Sequence, residues 1–170
     1  ELTAAHVRDV MKKGISMIHQ EMLVVPELTV AQNIFLGRET KGKLFSWLDD
    51  RTLTKQAAML LREMDIQIDP SIKMKYLSVA QMQMVEIAKA ISNNAKVIIM
   101  DEPTSALSEK EVATLFRLIK DLTSKGVAII YISHKMEEIT ALADTITVLR
   151  DGKYIGTRPA SELDMDTLIT

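Results

Sequence analysis

Val97-Ile98-Ile99-Met100-Asp101-Glu102-Pro103 is the stretch that decides the fold. Its four leading apolar residues predict a buried strand, and Pro103 prevents that strand from continuing. The two acids therefore stand at the carboxyl end of a strand, where open α/β sheets bind ligands. One acid can hold Mg²⁺, usually through water, and the other can polarise a water for attack on phosphorus. The simpler alternative is an acidic turn that caps the sheet.

The chain that follows this stretch alternates helices and strands. Its strands are continuous apolar runs, which are typical of a mostly parallel sheet in an α/β fold. The predicted elements are helix Glu109–Leu122, strand Val127–Ile132, helix Met136–Ala143 and strand Thr145–Leu149. Asp151-Gly152 then predicts a hairpin that returns through Lys153–Thr157. We therefore assign residues from about 95 to 157 to an α/β core.

The chain that precedes this stretch is mainly helical. After a predicted strand at Ile15–His19, the pattern predicts a brief helix capped by Thr29 and a helix from about Arg51 to Met64. A further helix, from about Val79 to Ser92, is capped by Ser78. Residues from about 21 to 94 are thus expected to form a helical subdomain inserted between strands.

Three further polar groups stand at element ends. His134 ends an apolar strand and can donate a hydrogen bond to a phosphate oxygen, or it is a helix-capping or packed histidine. Gln20 follows the first strand and can reach a metal or an attacking water, or it is an ordinary loop residue. Ser78-Val79-Ala80-Gln81 opens a helix whose amides can bind an anion, or Ser78 is a simple cap.

Composition limits the class of protein. The 170 residues correspond to one domain, and their net charge of −2 argues against a general electrostatic hold on nucleic acid. Disulfides and thiolate metal sites are excluded because the sequence has no cysteine. No apolar stretch approaches the roughly 18 residues that span a bilayer. The start at Glu1-Leu2-Thr3 suggests a piece of something longer.

Taken together, these segments resemble the motifs of the ATP-binding cassette (ABC) ATPases. Leu77–Gln81 is similar to the signature motif LSGGQ, and Val97–Glu102 to the Walker B strand. Pro103–Leu107 leads into a D-loop, Gln20 fits the Q-loop and His134 fits the switch histidine. The resemblance implies a P-loop NTPase-like (RecA-like) α/β fold and covers nearly the whole chain.

The wording of three segments narrows the resemblance to importers of monosaccharides such as galactose, methyl galactoside or ribose. These segments are Met17–Glu21, Met84–Ala90 and Tyr131–Ile139. The resemblance implies the first of two tandem cassettes on one polypeptide, with a second cassette, integral-membrane permease subunits and, indirectly, a sugar-binding protein as partners. It also implies a peripheral position at the cytoplasmic face of the bacterial inner membrane, and no nucleic-acid partner.

The resemblance implies a role for each candidate residue, with ATP and Mg²⁺ as ligands. Glu102 would activate the hydrolytic water, and Asp101 would support Mg²⁺. Gln20 would complete the shell around metal and water, and His134 would stabilise the γ-phosphoryl group in transfer. Ser78, Val79, Ala80 and Gln81 would grip the γ-phosphate bound to the opposing cassette.

Three departures from the family pattern matter. Val79-Ala80 replace the two glycines of the signature, and Ser108 stands where a D-loop aspartate is usual. The sequence also has no G-x-x-x-x-G-K-[ST] phosphate loop, so we expect a partial nucleotide-binding domain that lacks the Walker A strand and loop. By itself, it should bind ATP poorly and hydrolyse none. Residues 158–170 are expected to form a C-terminal helix.

Two other functions remain open. A non-catalytic cassette could keep the fold and only dock partners, because one site of a tandem protein can be inactive. A DNA-clamping ABC-type ATPase shares the fold, but such proteins typically carry long coiled-coil insertions and basic tracks. The short Pro26–Tyr76 segment and the mild acidity count against that alternative.

Overall fold

The computed structural model describes residues 9–10, 13–21, 23–38 and 50–162. The chain divides into two compact units, Glu1–Ile132 and Ser133–Thr170. Among the described residues, no helix combines the length and the apolar composition needed to cross a membrane. The predicted boundary at about residue 94 is a different one. It separates a mainly helical part from an α/β part, and it stays a prediction.

A parallel three-stranded sheet forms the centre of the first unit. Its strands are β1 (Ile15–Ile18), β2 (Val97–Asp101) and β3 (Ala128–Ile132), in the spatial order β1-β2-β3. Ile18 pairs with Met100 and Asp101 pairs with Ile132, so the three strands end at the same edge. This arrangement confirms the predicted parallel α/β sheet for these three strands. The predicted strand at Thr145–Leu149 does not join them and pairs antiparallel in a separate two-stranded sheet.

The helices of the first unit begin at or within one residue of the predicted positions. They are α1 (Val30–Ile34), α2 (Asp50–Glu63), α3 (Val79–Ile91) and α4 (Glu109–Ser124). A 3₁₀ turn, Met74–Tyr76, precedes α3. Helix α1 contacts α2 and α3, α3 contacts β1, and α4 contacts β3. Helices α1, α2 and α3 thus all follow β1 and precede β2 along the chain.

Apolar burial holds each of these layers together. The helical layer buries Val30, Ile34, Leu61, Met74 and Val85 to 2% exposure or less. On the sheet, Ile18, Ile98, Met100 and Leu115 of α4 are equally buried. The opposite sheet face keeps Met17 and Ile130 about half exposed.

The second unit contains a helix and a hairpin. Helix α5 (Met136–Leu142) is followed by β4 (Thr145–Arg150) and β5 (Lys153–Pro159), which pair antiparallel. The Asp151-Gly152 turn is confirmed, with φ of +51° and +73° at its two residues. Both values lie in the left-handed region that such hairpin turns require.

The predicted C-terminal helix over 158–170 is wrong at its beginning. Arg158 and Pro159 extend β5, because they pair with Ile146 and Thr145 of β4. Ala160–Glu162 then form a short 3₁₀ turn. Residues 163–170 lie outside the described part of the chain.

Candidate active site

The acid pair stands where the sequence places it. Asp101 is the last residue of β2, and Glu102 leaves the sheet with φ of +47°, a conformation that side chains rarely adopt. The Glu102 N–H donates to the Ile132 carbonyl oxygen at 2.9 Å, which carries the β2–β3 pairing one residue past Asp101. Pro103 and Thr104 are buried behind the pair, whereas Asp101 and Glu102 are partly exposed.

Gln20 leaves the sheet at the same edge. It follows β1 by two residues, and Ile18 at the end of β1 lies beside Met100. Adjacent strands are about 4.8 Å apart, so the segment that carries Gln20 passes close to the acid pair. Gln20 is exposed. The structure thus brings the amide and the two acids to one edge of the sheet.

Ser78–Gln81 begins α3 with a complete capping box. Ser78 Oγ accepts from the Gln81 N–H at 3.2 Å, and Gln81 Oε1 accepts from the Ser78 N–H at 2.9 Å. The sequence predicts Ser78 as the cap. It does not predict the second hydrogen bond, which the Gln81 side chain accepts from the Ser78 N–H. The spacing of a Ser followed three residues later by Gln is the signal that could have revealed it.

Helix α3 runs from this segment back along β1 towards the start of that strand. Asn93, just past its end, donates to Ser16 Oγ at 3.3 Å at the start of β1, and Lys89 donates to the Leu23 carbonyl oxygen at 3.5 Å beyond the end of β1. The helix therefore runs antiparallel to β1. Ser78 lies about 16 Å further along the helix axis than Lys89. The signature-like segment thus belongs to the helical part rather than to the cluster at the sheet edge.

His134 belongs to the second unit and is exposed. Its neighbour Ser133 accepts from the Lys135 N–H at 3.1 Å and donates to the buried Glu138 carboxylate at 3.2 Å. Lys135 also pairs with Glu138 at 3.1 Å. These bonds fix the turn that presents His134, and exposure argues against the packed-core alternative. Its predicted approach to the acid pair stays a prediction.

Two polar residues outside the predicted site, Asn33 and Arg38, are held by hydrogen bonds. Asn33 of α1 is fully buried, and Arg38 donates to the Ser92 carbonyl oxygen at 2.7 Å. Partial burial lowers the pKa of the Arg38 guanidinium from its usual range. The signal for Asn33 is an amide next to Ile34 in the short helix that starts with Val30-Ala31, because a polar group at a core position needs hydrogen-bonding partners.

Among the described residues, no group of three or more His, Asp or Glu side chains could enclose a metal ion. Mg²⁺ does not need such a group. It is commonly held by one or two carboxylates, with waters and phosphate oxygens as the other ligands. A single acid such as Asp101, with Gln20 on the neighbouring strand end, fits that requirement.

The sequence matches the family described as ABC transporter over residues 2–105. It is 54% identical over 169 residues to a putative ribose/galactose/methyl galactoside import ATP-binding protein of Geobacillus kaustophilus, covering 99% of this chain and 34% of that protein. It is 50% identical over 159 residues to a galactose/methyl galactoside import ATP-binding protein of Clostridium perfringens, covering 94% and 30%. The chain therefore spans about a third of the length of these relatives.

Solved structures with the same architecture are ATP-binding cassettes. A dimeric cassette in a post-hydrolysis state, bound to ADP and Pi, superposes with a TM-score of 0.78 at 24% identity, covering 94% of this chain and 68% of that one. A nucleotide-free cassette from an ABC transporter gives 0.73 at 23% identity, covering 89% and 63%. They confirm the predicted P-loop NTPase-like fold. With the family match over more than half of its length, the chain belongs to the ABC transporter family.

Proposed function

We propose that the chain is part of an ATP-hydrolysing cassette that powers the import of a monosaccharide such as galactose, methyl galactoside or ribose. The observation that carries this proposal is identity of 50–54% to sugar-import ATP-binding proteins over nearly the whole chain. The convergence of Gln20, Asp101 and Glu102 on one sheet edge supports the chemistry.

The reaction is in-line attack of water on the γ-phosphorus of ATP. A new bond forms from the water oxygen to phosphorus as the bond to the ADP oxygen breaks, which releases ADP and inorganic phosphate. Glu102 orients the water and accepts its proton. His134 donates a hydrogen bond to the phosphoryl oxygens, where negative charge develops. When bound, Mg²⁺ supplies charge neutralisation, and Asp101 with Gln20 would hold it.

The remaining partners follow from the proposed cassette. Ser78–Gln81 begins α3, and the amides at this helix start would bind the γ-phosphate of a nucleotide held by a second cassette. Integral-membrane permease subunits and, indirectly, a sugar-binding protein would complete the importer. The protein would then sit peripherally at the cytoplasmic face of the bacterial inner membrane.

Glu102→Gln tests the proposal in the complete gene product. The amide keeps the shape but cannot accept the water's proton, so we expect ATP turnover to fall by about 10²–10⁴-fold with ATP still bound. Sugar uptake should be lost in the same variant. Glu63→Gln, an exposed change at the end of α2, is the matched control and should leave both measurements unchanged. Unchanged uptake in the Glu102 variant would instead identify a non-catalytic, partner-docking cassette.

Residues 1–170 expressed alone should bind ATP weakly and show no turnover. The reason is that this stretch contains no phosphate loop to surround the α- and β-phosphates. Titration with a fluorescent ATP analogue measures the affinity. Micromolar, Mg²⁺-dependent binding would show that residues 1–170 suffice to bind ATP, and would contradict this prediction.

A further inference from the structure

Asn33 is a fully buried amide that binds a single stretch of backbone. Its Oδ1 accepts from the Val25 N–H at 2.8 Å. Its Nδ2 donates to the carbonyl oxygens of Val25 at 3.1 Å, Leu28 at 3.3 Å and Thr29 at 3.0 Å. We call residues 25–29 the linking segment. One side chain therefore satisfies both backbone groups of Val25 and fixes the segment at both ends.

The linking segment is bonded on its other side to the 3₁₀ turn that precedes α3. Lys75 N–H donates to the Pro26 carbonyl oxygen at 3.1 Å, and Met74 N–H donates to the Leu28 carbonyl oxygen at 3.0 Å. Glu27 forms ion pairs with Lys73 at 3.1 Å and with Lys75 at 3.0 Å. Hydrogen bonds from these two lysines, Lys75 first, lower the pKa of Glu27 below its usual 4.5. Backbone and charge thus join the two segments in the same register.

The linking segment and the 3₁₀ turn bonded to it stand between two parts of the candidate site, which are Gln20 and the start of α3. Gln20 precedes Val25 by five residues along the chain. On the other side, the Leu77 N–H donates to the Met74 carbonyl oxygen at 3.0 Å, and Ser78 then caps α3. Hydrogen bonds therefore connect the linking segment with the start of α3, and Gln20 lies five residues before that segment along the chain.

We infer that Asn33 is a positioning residue for hydrolysis: it holds the linking segment so that Gln20 and the start of α3 keep a fixed relation. The inference rests on the proposed function. Asn33 itself is buried away from solvent and acts only through the backbone that it binds. Its loss should therefore alter the rate of the chemical step more than the affinity for nucleotide.

Asn33→Asp in the complete gene product is the first test. The carboxylate still accepts from Val25 N–H but removes the three donated hydrogen bonds. We expect kcat to fall about tenfold or more with KM for ATP within about twofold, since small misplacements of catalytic groups cost rate. Amide hydrogen exchange should accelerate at Val25, Met74 and Lys75 and at the start of α3.

Ile119→Ala is the control for a loss of stability. Ile119 is buried in α4, which contacts β3, and it has no part in the linking segment, so the cavity lowers stability without releasing Asn33. At temperatures where both variants remain folded, Ile119→Ala should keep wild-type kcat. Equal loss of kcat in the two variants, or unchanged exchange at the linking segment in Asn33→Asp, would overturn the inference.

Glu27→Lys is a second variant that does not disturb the core, because Glu27 is exposed. It places a third cation beside Lys73 and Lys75 and repels the turn. Turnover should fall about two- to threefold at low salt and recover near 0.5 M salt, where exposed charges are screened. Glu63→Lys makes the same charge change at the end of α2 and should have no effect. If Asn33→Asp does not fold, identical behaviour of these two variants overturns the inference.

Hydrogen exchange separates this inference from the proposed function. If Glu102→Gln keeps full ATP turnover, the proposed catalytic role fails. Faster exchange at Met74, Lys75 and the start of α3 in Asn33→Asp would still support the attachment through the linking segment. Unchanged exchange there would overturn it whatever the turnover.

Discussion

Glu102 combines a proposed chemical role with a costly backbone conformation. Its φ of +47° lies in the left-handed region, which costs a side-chain-bearing residue about 1–2 kcal/mol. The hydrogen bond from its N–H to Ile132 and the buried Pro103 that follows hold it there. The fold therefore maintains a strained residue at the sheet edge. Such strain is common where a side chain has to be presented in one direction.

At this residue, glycine should be more stable than alanine. We expect Glu102→Gly to unfold with a free energy about 0.5–1 kcal/mol above that of Glu102→Ala, because relief of left-handed strain outweighs the extra chain entropy of glycine. Thermal or denaturant unfolding of the two variants measures the difference. Ala113→Gly, in the exposed middle of α4, is the control and should lower stability by about 1 kcal/mol. Equal stability of the two Glu102 variants would show that the strain is not significant.

At the scale of elements, helix starts carry most of the local information. Thr29 with Gln32, Ser78 with Gln81 and Ser108 with Glu111 each place a hydroxyl three residues before a Gln or Glu. All three open helices at the positions that the caps predict. The Glu111 carboxylate accepts from both the N–H and the hydroxyl of Ser108, at 2.8 and 2.7 Å. This bonding makes the start of α4 sensitive to pH.

Hydrogen bonds from the Ser108 hydroxyl and N–H lower the pKa of Glu111 from its usual 4.5. Because the folded value is the lower one, the contribution of Glu111 is complete above about pH 4.5 and is lost as the pH falls through the folded pKa. Glu111→Ala should cost about 1 kcal/mol at neutral pH, and the difference in Tm from wild type should shrink below pH 4.5. Glu63→Ala is the control, because Glu63 is an exposed glutamate at the end of α2 and has no part in the start of α4. A difference in Tm that stays constant from pH 7 to 3 would contradict this account.

At the scale of the molecule, the two compact units differ in how much they bury. The first unit has a helical core and a three-stranded sheet, whereas the hairpin of the second buries only Ile146 to below 9% exposure among its described residues. A two-stranded sheet with little buried apolar surface is marginally stable in water. The second unit is therefore the weaker one.

Native-state amide exchange should resolve this difference. We expect amides of β2 to exchange slowest, because they lie in the central strand of the first sheet. Amides of β4 and β5 should exchange at least about tenfold faster under the same conditions. Amides in the middle of α3 provide an internal reference for the helical core. Protection of β4 and β5 equal to that of β2 would show that the units open together.

The sequence alone determined the elements and the edge at which the acids stand. Apolar runs, caps and Pro103 act within a few residues of themselves, so strand Val97–Asp101 and the capped helices could be predicted from local rules. Family resemblance then indicated the roles of Gln20, Glu102 and His134. These predictions concern the type of each element, the role of each site residue and their order along the chain.

Only the tertiary structure decided the features that join distant residues. The left-handed Glu102 bonds to Ile132 far along the chain, and β5 extends through Pro159 because β4 pairs with it. The Asn33 contacts with residues 25–29 are close in sequence, but they depend on how the chain folds back over the buried amide. Local propensity leaves such choices open, since an isolated Arg158-Pro159 has no strand to pair with. Pairing with β4 places Arg158 and Pro159 in a strand, where a helix is predicted from the sequence.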